Sequence, residues 1–210
     1  MSIICPSVTP TTTSPDEYRL MLERVASFAP RIQIDLMDGE FARPKTISVR
    51  DIWWPQGVSA DIHLMYSRPL EFVDSLVTLG PHLVIVHAEA GGDLERFIGT
   101  MHEHNIRVGV ALLQQTSVHE VKHLIEMVDH VLIFSGTLGS YGGTADFDLL
   151  EKVPQIRALS PGIEISWDGG ANVDTVRSLA LGGIDVINVG GAIQHSEDPA
   201  RMYALLQKQV

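Results

Sequence analysis

Basic residues are scarce in this chain. Only 15 lysines and arginines face 26 aspartates and glutamates, a net charge of −11. That balance argues against nucleic acid as a partner, because binding a phosphate backbone needs a basic face. A small phosphorylated ligand is not excluded, since backbone amides and helix amino termini can hold one phosphate without a lysine. Cysteine occurs once, at Cys5. An internal disulfide is therefore impossible, which fits a reducing cytosol, and Cys5 is expected as a small buried residue of the first strand. No apolar run approaches the roughly 20 residues of a membrane span, so no membrane partner is expected. Met1-Ser2-Ile3-Ile4-Cys5-Pro6 lacks a basic region leading into a long apolar stretch. No secretory signal is expected there, and the expected location is cytoplasmic. Also missing is a Gly-x-Gly-x-x-Gly after the first strand, which weakens a dinucleotide-binding fold.

What is present is an alternation. Short β-rich apolar runs stand at 3–7, 31–36, 59–65, 82–87, 106–112, 130–135, 163–168 and 185–189. Amphipathic stretches near 15–28, 69–79, 92–104, 117–128, 146–158, 172–181 and 198–208 separate them, with a weaker helix candidate at 47–56 that Trp53-Trp54-Pro55 interrupts. Ser14-Pro15-Asp16-Glu17 combines a cap, a first-turn proline and early acids. Thr116-Ser117 with Glu120, and Asn172, give similar start signals. Gly80 and Gly182-Gly183 supply left-handed stops. Eight strand-plus-helix units without linker, repeat or low-complexity tract predict one α/β domain over residues 1–210, a (β/α)8 TIM barrel.

Strand residues alternate inward and outward, so parity sorts the polar ones. Gln33, Asp35 and Met37 share the inward face of the second strand, His63 and Met65 that of the third. His87 ends the fourth strand, Asp168 ends the seventh after Ser166, and Ser7 closes the first. All fall at carboxyl-terminal strand ends, where barrel enzymes place their chemistry. Each has an ordinary structural explanation when taken alone. A strand-end histidine is commonly a hydrogen-bonded core residue, Met37 and Met65 are core filler, Asp38 beside Gly39 is a turn residue. Asp61 is expected at the opposite end or in a salt bridge. Two acids and two histidines meeting at one rim call for a joint explanation, because burying ionisable groups is costly unless a metal or a reaction uses them. Glycine pairs form a second pole. Gly169-Gly170 follows the seventh strand, Gly190-Gly191 the eighth, and Gly142-Gly143-Thr144 comes after the sixth. The loops after the seventh and eighth strands are where barrels commonly bind phosphate, and the one after the sixth could close over the same group.

Pro6-Ser7, Asp35-Leu36-Met37-Asp38-Gly39 with Phe41, His63-Leu64-Met65, Val86-His87-Ala88-Glu89-Ala90, Gly142-Gly143 and Asp168-Gly169-Gly170 together resemble the ribulose-phosphate 3-epimerase family, essentially end to end. The resemblance implies C3 epimerisation of a small phosphorylated ketose, interconverting D-ribulose 5-phosphate and D-xylulose 5-phosphate. Asp35 and Asp168 would move protons on opposite faces of an enediolate. One divalent metal ion (Zn, Fe, Mn or Mg) would sit on Asp35, His63, Asp168 and a fourth ligand. Met37 and Met65 would line the cavity, Ser7 and His87 would contact substrate hydroxyls or support the site, and the chain would form a homo-oligomer.

The departures cluster at the same site. Gln33 stands where the family has a metal-binding histidine, and its oxygen is neutral and a poorer ligand. Glu40 and Arg43-Pro44 replace a histidine and Pro-Asn, Phe134 replaces a methionine, Gly136-Thr137-Leu138-Gly139 lacks Asn-Pro-Gly, and Gly191 replaces a phosphate-binding serine. They favour altered metal use or substrate over loss of activity, since both aspartates are kept. A non-catalytic sugar-phosphate sensor or assembly module and an epimerase for another ketose phosphate are the alternatives. A hexulose-phosphate synthase ranks last, because Asp35-Leu36-Met37-Asp38-Gly39 lacks that group's lysine.

Overall fold

The computed structural model describes residues 2–139 and 143–210. Eight parallel strands close into a barrel in sequential order. They are β1 (Ile3–Val8), β2 (Arg31–Met37), β3 (Ser59–Met65), β4 (Leu83–His87), β5 (Arg107–Leu112), β6 (His130–Phe134), β7 (Glu164–Asp168) and β8 (Val186–Val189). The helices are α1 (Pro15–Ala26), α2 (Val73–Leu79), α3 (Leu94–Glu103), α4 (Lys122–Ile125), α5 (Lys152–Leu159), α6 (Val176–Leu181), α7 (Gly191–Gln194) and α8 (Pro199–Gln207). Among the described residues no helix is long and apolar enough to cross a membrane.

The strands form where branched and aromatic residues run unbroken, because a parallel barrel strand is covered on both faces. Outward residues such as Ile32, Ile34, Leu36, Ile62 and Leu64 join the main core, packed against the helices with Tyr18, Leu22 and Phe97. Inside the barrel, Leu83, Ile85, Ala111, Leu132 and Phe134 fill one side. Cys5 is buried and unpaired. Capping side chains start the longer helices. Ser14 accepts from the Glu17 amide, Asp93 from that of Arg96, and Asp198 from that of Arg201, satisfying amides that have no partner in the helix.

Four local expectations need correction. No helix forms over 47–56; Ile47, Val49 and Ile52 bury individually, and the Tyr18 hydroxyl donates to the Trp53 carbonyl. The 117–128 helix shrinks to α4, because Ser117 and Glu120 close their capping box on a separate turn. Asn172 does not cap a helix at once. Its side-chain Oδ1 accepts from the Asp174 amide in a tight turn, and α6 begins at Val176. Finally, Gly182 keeps a helical φ of −73° and Gly183 takes the left-handed stop at +90°.

The amino-terminal end of the barrel is closed by charge pairing. Arg31 Nε donates to Asp61 at 2.7 Å, and its two terminal nitrogens reach Glu164 at 2.9 and 2.8 Å. His82 reaches Asp61 and His130 reaches Glu164, each at 2.8 Å. Asp61 is thus a structural ion-pair residue, and the Glu164 carboxyl, though partly buried, is held well below its ordinary range by Arg31 and His130.

Candidate active site

At the carboxyl-terminal mouth a cavity of about 370 Å³ opens between the strand ends. Asp35 and Asp168 both line it. Their carboxylate oxygens and a His63 ring nitrogen lie within 4.8 Å of one another, the spacing of a metal-binding triad. β2 and β3 run in register with Asp35 beside His63, which brings those two side chains together. Asp168 arrives from β7, where the Trp167 indole donates to the Gly169 carbonyl at 2.7 Å and anchors the strand end.

Asp35 is 4% exposed, accepts from the Thr9 hydroxyl and from Gln33 Nε2 at 2.8 Å, and lies 3.1 Å from His63 Nδ1. Gln33 Nε2 also donates to Asp168 at 2.5 Å, so one amide nitrogen bridges both carboxylates. The Gln33 side-chain oxygen, expected to face a metal, is buried with no partner among the described residues. Asp168 is pushed up to about 7, first by burial and then by the charge of Asp35. Two neighbouring carboxylates cannot both ionise cheaply, so one shared proton is the favoured state.

Behind the triad a line of side chains continues outward. His63 Nε2 lies 2.9 Å from His87 Nε2, and His87 Nδ1 lies 3.4 Å from the Glu89 carboxylate. Glu89 in turn accepts from the Leu113 amide and the Thr116 hydroxyl, in a loop whose carbonyls at 113, 114 and 116 receive the Lys152 ammonium. Burial drives His87 down to about 4, keeping it neutral. Asp35, Asp168 and a His63 ring nitrogen, buried together at this spacing, are the donor set a divalent cation takes, and His87 would orient the His63 ring as partners of metal-bound imidazoles commonly do. The Gln33 amide, turned end for end, would add its unpartnered oxygen. The residues therefore fit such an ion.

Other expected residues divide between wall and foundation. Ser7 and Met65 line the cavity. Met37 lies beneath it, packed with Ala42 and Met65. His87 is fully buried against Phe41 and Phe134 and supports His63 rather than forming the wall. Gly143, Gly169, Gly170, Gly190 and Gly191 line the cavity. Thr144 is exposed, with its backbone against Gly170. Gly142 lies outside the described residues. Gly169 and Gly170 have φ of +115° and +69°, and a Cβ at either would stand 2.1 Å from a backbone nitrogen, of Gly136 or Ala145. Only glycine lets the loops after β6 and β7 approach this closely. Three polar lining residues, Thr9, Asn188 and His195, belong to none of the motifs read from the sequence. His195 is the one basic side chain of the described lining. Asn188 was findable, since it holds the inward position of β8 just before a glycine pair.

Residues 3–194 match the family described as the ribulose-phosphate 3 epimerase family. The chain belongs to the ribulose-phosphate 3-epimerase family. Membership makes it an isomerase that epimerises carbohydrates. It is 30% identical over 185 residues to the ribulose-phosphate 3-epimerase of Schizosaccharomyces pombe, covering 85% of this chain and 81% of the relative. It is likewise 30% identical over 200 residues to that of Helicobacter pylori strain J99, covering 91% and 92%. Among solved structures, 3-hexulose-6-phosphate synthase from Salmonella typhimurium superposes with a TM-score of 0.72 at 19% identity, over 99% of this chain and 97% of that one. A mutant tryptophan synthase α-subunit from Pyrococcus furiosus gives 0.74 at 14%, over 99% and 97%. Identities this low carry the barrel fold alone, whereas the family match extends to the strand-end motifs.

Proposed function

We propose that this epimerase interconverts D-ribulose 5-phosphate and D-xylulose 5-phosphate. Asp35, ionised, takes the C3 proton from one face, leaving a planar enediolate. Asp168, protonated, gives its proton to the opposite face, so the pair ends with its charges exchanged and the reverse reaction restores them. What carries this proposal is that the two carboxylates reach one cavity from β2 and β7 while burial and mutual repulsion hold one proton between them. Such a pair supplies a base and an acid at the same pH. Thr9 and Gln33, by donating to Asp35, hold its oxygens in place.

Asp35, His63 and Asp168 would hold one divalent ion, which would offset the negative charge that develops on the substrate oxygens. The phosphate would rest on the backbone of Gly143, Gly169-Gly170 and Gly190-Gly191, with Thr144 beside them and His195 at the rim. Ser7, Met65 and, through the floor, Met37 and His87 would shape the sugar site. On family grounds we further propose a homo-oligomer working in the cytosol, which sedimentation and fractionation would test.

The direct test is incubation of ribulose 5-phosphate in D2O with protein that is metal-free or loaded with zinc, iron(II), manganese or magnesium. Deuterium should enter C3 as xylulose 5-phosphate appears. Tight binding of the sugar phosphate without exchange under every metal would instead favour a non-catalytic binder. The Gln33 amide locked across both carboxylates is the observation on that side.

A further inference from the structure

Buried polar atoms nearly always have partners in a folded protein, and one left without is a signal of strain or of an absent ligand. Asn188 is such a residue twice over. It is 2% exposed, lines the active-site cavity, and neither its Nδ2 nor its Oδ1 has a hydrogen-bond partner among the described residues. Ser7, also 2% exposed and lining the same cavity, has a hydroxyl with no partner among them. The alternation of β8 explains the placement. Ile187 and Val189 join the outer core, so Asn188 faces the barrel interior. A valine would fill that position without stranding an amide.

The chemistry of the missing partner follows from the side chain. A primary amide presents donors and an acceptor together, and only a group that both donates and accepts satisfies it. A phosphate or a carbonyl would answer the nitrogen and leave the oxygen bare. A hydroxyl answers both. Its position along the substrate follows from the strand register. Asn188 pairs with Asp168 across the β7–β8 ladder and stands two residues before Gly190. It therefore faces the stretch between the carbon that reacts and the phosphate that the glycine loops hold.

The geometry points to Asn188, seconded by Ser7, as the residue that recognises the hydroxyl on the carbon between the epimerised centre and the phosphate-bearing carbon. In a ketopentose 5-phosphate this is the C4 hydroxyl. The assignment rests on the epimerase reading given above. It makes Asn188 a specificity residue that touches substrate and takes no part in proton transfer. Sugar phosphates lacking oxygen at that carbon are rejected because they leave the amide stranded.

The test compares ribulose 5-phosphate with its 4-deoxy analogue in the wild type and in Asn188→Val. The wild type should prefer the hydroxylated substrate by about 10²-fold or more in kcat/KM, and the variant by no more than about 3-fold. The whole loss should fall on ribulose 5-phosphate, and the variant should handle the deoxy compound at least as well as the wild type does. Asn188→Val should also melt at or above the wild-type temperature, because it removes a stranded buried amide. An equal loss on both substrates, an unchanged preference, or a markedly lower melting temperature would overturn the assignment. If the wild type turns over neither compound, the epimerase reading fails. Dissociation constants of the two compounds then decide the Asn188 assignment separately, by the same crossover or its absence.

Discussion

At the amino-terminal end of the barrel, Arg31 spans Asp61 and Glu164, while His82 takes the other Asp61 oxygen and His130 shares a Glu164 oxygen with Arg31. At the carboxyl-terminal end, Asp35 and Asp168 face each other across one cavity, bridged by the neutral Gln33 amide nitrogen, with His63 Nδ1 3.1 Å from the first and 3.8 Å from the second. Both ends bury two carboxylates inside the same eight strands. One end matches both acids with a guanidinium, whereas the other gives its acids none and leaves a serine hydroxyl and an asparagine amide without partners among the described residues. The difference separates a stability device from a reactive one. Paired charges lower the energy of the fold, whereas unpaired ones hold a free-energy deficit that a substrate or metal relieves.

Breaking the paired end should have the largest effect on stability. Arg31→Met leaves the Asp61 carboxylate, which is 2% exposed, with His82 alone among the described residues, and should cost about 3–5 kcal/mol by urea denaturation. A loss below about 1 kcal/mol would show the network to be solvated and ornamental. At the mouth the sign reverses on adding a cation. A divalent ion at 100 times its Kd should stabilise the wild type by about 2.7 kcal/mol and leave His63→Ala much less affected. Equal shifts in both proteins would place the ion elsewhere.

The two ends should also differ in pH dependence. Glu164 is depressed in the fold, so its contribution is present above its ordinary value of 4.5 and is lost as pH falls through the folded value. Asp168 is raised, so folding favours its protonated form. The protein then loses stability as pH rises from the ordinary 3.8 through about 7. In chelator-treated protein, Asp168→Asn should therefore gain about 1–2 kcal/mol at pH 8, a gain that vanishes near pH 3. That figure is set below the full shift because the Asp168 side chain is 18% exposed. A destabilised variant at pH 8 would mean that Asp168 is held by a favourable partner.

The barrel itself was legible because parallel strands write their double burial as unbroken apolar runs, and each of the eight was located to within a residue or two. Parity then placed Asp35, His63 and Asp168 correctly on the inner face, for the same reason. Helix ends were less legible. Asn172 and Ser117 carry capping chemistry that serves equally for isolated turns, and α7, four residues beginning at a glycine, has no period to detect. Tertiary details were beyond the sequence. Nothing in Gln33 says that its nitrogen rather than its oxygen meets the acids, and nothing in Glu89 says that it supports His87. Asn188 was visible to the parity rule but hidden by its setting, a polar residue inside Val186-Ile187-Asn188-Val189.

The central claim is that Asp35 and Asp168 serve opposite faces of one substrate. It is tested most directly by following C3 deuterium incorporation from each epimer, ribulose 5-phosphate and xylulose 5-phosphate, in Asp35→Asn and Asp168→Asn. Each variant should lose interconversion by at least about 10²–10⁴-fold. Any residual exchange should be confined to one epimer, and to opposite epimers in the two variants. Interconversion at wild-type rates in either variant, or residual exchange of the same epimer in both, would contradict the two-sided site.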